Sequence, residues 1–180
     1  EGMYNINVKI PVINIDENTA KSINAKIKTE FYDKVTNIMN NSSEYTVYNV
    51  NYIAYINQDI LSIAVKSSIK QGNNSEKVII KTYNYSIPSK AEVGLDELIK
   101  LKETNEAEVQ KLIKDEIKIA YNNAKSLQEL GYNIYQRDVN SNMYKVSETD
   151  TYLLTQDGYV YLIYSYGNNS YTNEVDVVIF

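Results

Sequence analysis

The chain has 180 residues, a net charge of −5 and eighteen tyrosines, but no histidine, cysteine or tryptophan. Those absences exclude a serine or cysteine triad of the usual kind, an imidazole metal site, a zinc knuckle and a disulfide. Arg137 is the only arginine, and the acidic balance offers no cluster of cations for phosphate, so no nucleic-acid partner is expected.

The length suits a single domain over 1–180, with 1–90 and 91–180 as candidate subdomains. No apolar run reaches the roughly 18 residues of a membrane helix, and no signal peptide is recognisable. The Glu1-Gly2 start runs almost at once into a strand-like stretch. That is expected if an upstream signal or anchor has been removed. Abundant Asn, Ile, Lys and Tyr, which use AT-rich codons, point to a low-GC bacterium.

Residues 4–15 begin with apolar–polar alternation and read as a strand, with Pro11 at an edge or bulge. Asp16 is placed to cap a helix over about 17–39. Its apolar residues Ala20, Ile23, Ile27, Phe31, Val35 and Ile38 recur at three and four and make one buried stripe. Runs at 45–56 and 60–70 flank Asn57-Gln58-Asp59 as a hairpin, and a third strand covers 77–87. Pro88-Ser89-Lys90 breaks this sheet. A short helical turn follows at 94–99. A longer helix opens on Asn105, spaced from Glu108 as a capping box, and runs to about 127 before Gly131. Residues 132–150 are polar and carry no clear period. Asp157-Gly158 between 151–156 and 159–166 is a strong hairpin signal, and a last strand covers 171–180. Helices and hairpins are segregated rather than alternating. The expected class is therefore α+β, antiparallel sheet with two main helices packed on one face.

Three stretches carry a family resemblance. Tyr4–Ile27, with Ser22-Ile23-Asn24-Ala25-Lys26-Ile27 on its helix, resembles the opening module of PdaC-type peptidoglycan deacetylases, which lies outside their catalytic domain. Thr82-Tyr83-Asn84-Tyr85-Ser86-Ile87, leading to Gly94-Leu95-Asp96-Glu97-Leu98-Ile99, resembles the tyrosine-rich strand and Leu-x-x-Leu turn of the RsiV-type domain. Tyr152–Tyr161 is similar to that family's C-terminal strand–Asp-Gly–strand hairpin. The resemblance implies a cell-surface protein of a low-GC bacterium: a free lipoprotein-like or secreted domain, or the ectodomain of a membrane anti-sigma factor, some of which sense lysozyme. Two family elements are missing. The loop at Gln71-Gly72-Asn73-Asn74-Ser75 lacks a histidine, and Tyr164-Ser165-Tyr166-Gly167 is a poor match to Tyr-Ala-x-Gly. Both departures weigh against lysozyme sensing.

The adjacent or alternate carboxylates Asp96-Glu97, Asp115-Glu116 and Glu174/Asp176 could do acid–base work only if they converged in a cleft; otherwise each is a solvated face. An oxygen-only calcium loop is absent around Asp150 and Asp157. The expectation is no catalytic residue, no metal site and no cofactor. The candidate ligand-binding residues are Tyr159, Tyr161, Tyr164, Tyr166 and Tyr171. Tyrosine gives contact area with few torsions and stacks on sugar rings. The competing reading makes them sheet formers that pack the helices. The functional expectation is a non-enzymatic extracytoplasmic domain that binds a cell-wall glycan such as peptidoglycan, or a basic lysozyme-like protein steered by the acidic charge.

Overall fold

A computed structural model describes residues 3–180; the Glu1-Gly2 start lies outside them. Strand β1 is Tyr4–Val8, less than half the length of the expected strand over 4–15. Residues 9–17 leave the sheet, because the Asn24 side chain clamps them: Asn24 Nδ2 donates to the Ile13 carbonyl at 3.0 Å, and Ile13 N–H donates to Asn24 Oδ1 at 2.8 Å. A side chain thus replaces the missing strand partner.

Helix α1 spans Asn18–Ile27 and α2 spans Asp33–Asn41. They are joined by one π turn at Lys28–Tyr32. The cap is Glu17 rather than Asp16, its carboxylate accepting from Thr19 N–H at 2.9 Å. The buried Tyr48 hydroxyl reaches into the π turn and donates to the Phe31 carbonyl at 3.0 Å. Insertion of a side chain into the helical ladder is a recognised cause of such a distortion.

Strands β2 (Thr46–Asn57) and β3 (Ile60–Gln71) form a long hairpin. Its two turn residues, Gln58 and Asp59, both have φ near +50°, as a type I′ turn demands. Strand β4 (Lys77–Ser86) pairs with β3, and the short β5 (Ala91–Glu92) closes the sheet in the order β1-β2-β3-β4-β5. β1 pairs with β2 in parallel, against the purely antiparallel expectation. The helix between them carries the chain back to the end it started from, which makes the pair parallel.

Helix α3 is Leu95–Leu101 and α4 is Glu106–Glu129, with Asn105 Oδ1 accepting from Glu108 N–H at 3.0 Å. Strands β6 (Tyr152–Leu154), β7 (Val160–Ser165) and β8 (Val175–Ile179) make a second, antiparallel sheet. The α+β class stands, with two sheets. Each main helix covers the outer face of its own sheet rather than sharing one.

Two cores result. Ile23, Ile27 and Phe31 pack on Tyr48, Val65 and Tyr85 of the first sheet. Ile113 and Ile117 pack on Val160, Leu162 and Tyr164 of the second. Burial of each such side chain contributes about 1.5–3 kcal/mol. Between the cores the two sheets meet face to face through small polar groups. Leu154 N–H donates to Ser62 Oγ at 3.2 Å, and Ser62 Oγ donates to Asn84 Oδ1 at 2.7 Å. Asn84 Nδ2 then donates to the Tyr152 carbonyl at 2.9 Å, and Tyr152 N–H to Thr82 Oγ1 at 2.8 Å. The order through the molecule is helix, sheet, sheet, helix.

The cores should reveal themselves at high pH. Burial pushes the hydroxyls of Tyr48, Tyr83 and Tyr144 up to about 12 from 10.0. A pKa raised on folding gives stability that is complete below the unfolded value and is lost as pH rises through the folded one. Near-ultraviolet circular dichroism should therefore survive to pH 10 and disappear as pH approaches 12, in step with tyrosinate absorbance. A signal already lost at pH 10 would show that these rings are not sealed.

Candidate functional site

The second sheet is shorter than the first and leaves part of its inner face open. The result is a groove of about 470 Å³, within the usual range for small-ligand sites. One wall is the inner face of β2, bearing Asn51, Ile53 and Tyr55; the other bears Tyr161 and Ile163 of β7. Ala64 and Ile80 form part of the lining, and Lys66, Gln156 and Asp157 supply polar groups. The turn between β6 and β7 is pinned beside it, because Asn57 Nδ2 donates to the carbonyls of Thr155 (3.2 Å) and Gln156 (2.8 Å). Together with the Ser62–Asn84 links, these bonds fix both walls. The groove is preformed, with tyrosine rings for stacking and amides for hydrogen bonding.

The five candidate tyrosines separate. Tyr161 lines the groove. Tyr159 and Tyr171 are exposed elsewhere on the surface, and the Tyr171 hydroxyl donates to Gln71 Oε1 at 3.1 Å. Tyr164 and Tyr166 are buried, which corrects their place among ligand contacts. Strand alternation turns Val160, Leu162 and Tyr164 toward α4 and Tyr161 and Ile163 toward the groove. Tyr164 packs edge-on against Tyr144 with ring centroids 5.1 Å apart.

Tyr166 belongs to a buried ionic cluster that the polar segment 132–150 supplies. Arg137, 6% exposed, donates from Nε and Nη2 to Asp176 at 2.9 and 3.0 Å, and from Nη1 to Glu174 at 2.6 Å. Its Nη1 also donates to the Tyr135 carbonyl at 2.7 Å. The Tyr166 hydroxyl donates to Asp176 at 2.6 Å, and its ring stacks on Tyr135 with centroids 4.3 Å apart. Burial disfavours the guanidinium charge, but the two carboxylates outweigh it and hold the pKa above its ordinary value. Burial and the bond to Asp176 also raise Tyr166. Every charged member has a partner, so Glu174 and Asp176 form a structural clamp rather than an acid–base pair.

The other carboxylates disperse as well. Glu97 accepts from Gly94 N–H at 2.8 Å while Asp96 pairs with Lys100 at 3.1 Å, and that bond lowers the Asp96 pKa. Asp115 pairs with Lys111 at 3.2 Å. Among the described residues no three His, Cys, Asp or Glu side chains converge as metal ligands.

Sequence reasoning missed β2 as a groove wall. The available signal was its length and its apolar character on both faces. It missed Arg137 too, which lies in a segment without periodicity and far in sequence from the carboxylates it meets.

The class that fold and site define is a two-sheet α+β domain with an open, tyrosine-lined groove. No family model and no curated protein matches the chain. Solved structures do. A DUF3298 family protein from Pseudomonas aeruginosa PAO1 superposes with a TM-score of 0.51 at 11% identity, over 87% of this chain and 73% of that one. A DUF3298 family member from Bacteroides fragilis gives 0.48 at 12% identity, over 92% and 67%. The first likeness establishes a shared fold.

Proposed function

We propose that the chain is a non-enzymatic, extracytoplasmic binding domain of a low-GC bacterium, and that the groove between its sheets takes a cell-wall glycan. The finer kinship, an RsiV-type domain preceded by a PdaC-type module, is part of this reading and rests on the three sequence stretches described above. The observation that carries the proposal is the preformed groove with Tyr55 and Tyr161 on opposing walls and Asn51, Gln156 and Asp157 at hand. Flat rings stack on sugar faces while amide and carboxylate groups bond to hydroxyls. A second reading, the lysozyme-sensing ectodomain of an anti-sigma factor, is favoured by the net charge of −5, which steers basic proteins.

Calorimetry against soluble peptidoglycan fragments and against lysozyme tests both. Fragments should bind, and Tyr161→Ala should weaken them by about thirtyfold, as for an anchor contributing roughly 2 kcal/mol. Tyr159→Ala and Tyr171→Ala, outside the groove, should leave binding unchanged. Binding that ignores Tyr161 sinks the groove; lysozyme binding without fragment binding favours the sensor; no binding of either at low salt sinks the ligand assignment.

A further inference from the structure

The outer edge of β2 is paired along only half its length. β1 covers Thr46–Val50 and then leaves, the last contact being Lys9 N–H to the Val50 carbonyl at 2.9 Å. Thr46 N–H and the Val50 carbonyl point to this side, so by strand alternation the backbone groups of Tyr52, Ala54 and Ile56 do too. Among the described residues no strand lies beside their N–H and C=O groups. Tyr52 N–H borrows a local acceptor, Asn51 Oδ1, at 2.9 Å. The side chains along this edge are also exposed: Tyr52 41%, Ile53 50% and Ile56 61%. Natural edges are usually blunted by charge, proline or a bulge. The whole of β2 carries no charged residue and no proline.

The sequence of this edge is its own complement. Asn51-Tyr52-Ile53-Ala54-Tyr55-Ile56-Asn57, laid antiparallel on a second copy about Ala54, sets Tyr52 opposite Ile56, Ile53 opposite Tyr55, and Asn51 opposite Asn57. Aromatic–β-branched pairs are favoured across strands. The register also meets the backbone requirement: Ala54 faces Ala54 and Tyr52 faces Ile56, so all the outward N–H and C=O groups find partners. No charge opposes a like charge, although each copy carries −5 overall.

We infer that two copies of this chain join edge to edge through antiparallel pairing of residues 51–57 about a two-fold axis at Ala54. The contact is isologous and closes on itself. It continues the first sheet across both molecules and sets the Ile53 and Tyr55 walls of the two grooves side by side. A seven-residue edge covers less than the roughly 800 Å² per partner of a standard interface. The dimer is therefore expected to form in the micromolar range or above.

Sedimentation velocity of the chain without ligand tests this, from micromolar to roughly millimolar protein. Dimer should accumulate with concentration. Tyr52→Lys with Ile56→Lys places lysine opposite lysine in both pairs and should leave a monomer. Tyr52→Lys with Ile56→Asp places lysine opposite aspartate only in this register and should restore the dimer. Ala54→Pro, at an outward edge position where proline is tolerated within the fold, should also give a monomer with an unchanged circular dichroism spectrum. A wild-type chain that stays monomeric throughout overturns the proposal, including one whose edge instead accepts an added extended peptide. So does a Lys/Lys variant that dimerises like the wild type, or a Lys/Asp variant no better than Lys/Lys. None of these outcomes depends on whether the groove binds a glycan.

Discussion

Replacing Arg137 with alanine is expected to cost roughly 3–5 kcal/mol, the cost of breaking a buried ion pair from one side. The native guanidinium is 6% exposed and meets two carboxylates whose side chains are themselves less than one-fifth exposed. Its removal leaves Asp176 and Glu174 charged and poorly solvated, with Tyr166, Tyr135 and Thr172 as the remaining donors among the described residues. Lysine should not rescue it. An ammonium cannot span both Asp176 oxygens and Glu174 at once, because the planar fork supplies that geometry. For a domain whose whole stability is about 5–15 kcal/mol, the loss is large. The urea midpoint of Arg137→Ala should fall accordingly, with Arg137→Lys close behind. A drop under about 1 kcal/mol would mean that the cluster is solvated in solution.

The cluster also marks where the sequence stops being legible. Helix α1 with the π turn after it, and α4, could be read because Ala20, Ile23, Ile27 and Phe31, and likewise Val109, Ile113 and Ile117, recur at helical spacing and answer to local geometry. The hairpins could be read because Asp157-Gly158 puts a glycine at a position of positive φ, and because Asn57-Gln58-Asp59 is a short polar break between two strand-like runs. Arg137, by contrast, lies in a segment with no period. It is held by carboxylates 37 and 39 residues away, and spacing cannot announce such a pairing. The tyrosines of β7 were half legible. Alternation separates Tyr161 from Tyr164, but both faces of this strand are apolar, so pattern alone cannot say which one meets α4. The groove was legible only as the length and two-faced apolar character of β2. It exists because Ser62, Ala64, Thr82 and Asn84 are small or polar enough for a second sheet to sit on the first. In the sequence these residues read as the solvent face of an ordinary meander.

Gly167→Ala is the second large effect, and it tests that sheet-on-sheet seat directly. A Cβ at position 167 would stand 2.0 Å from the Val78 carbonyl oxygen and 2.6 Å from the Val78 nitrogen. Both are backbone atoms of β4 and cannot swing aside as a side-chain tip could. The same backbone is tied on either side. Ser165 Oγ donates to the Val78 carbonyl at 2.6 Å, and Val78 N–H donates to the Thr172 carbonyl at 3.0 Å. Relief of the clash therefore means lifting the 166–168 turn off β4 and breaking both bonds. Overpacking costs about 1–3 kcal/mol, and each lost bond adds about 1 kcal/mol. The expected destabilisation is thus about 3 kcal/mol or more. Gly131→Ala is the control. That residue has φ +88° and no atom within 4 Å of a new Cβ, so it carries conformational strain of only about 1–2 kcal/mol. Denaturation midpoints should rank wild type, Gly131→Ala, then Gly167→Ala. Because Tyr161 and Ile163 hang from the strand that Gly167 seats, any groove ligand should also bind Gly167→Ala more weakly under conditions where the variant remains folded. A Gly167→Ala chain as stable as Gly131→Ala would show that the second sheet is free to ride up on the first, and that the groove between them is not a fixed site.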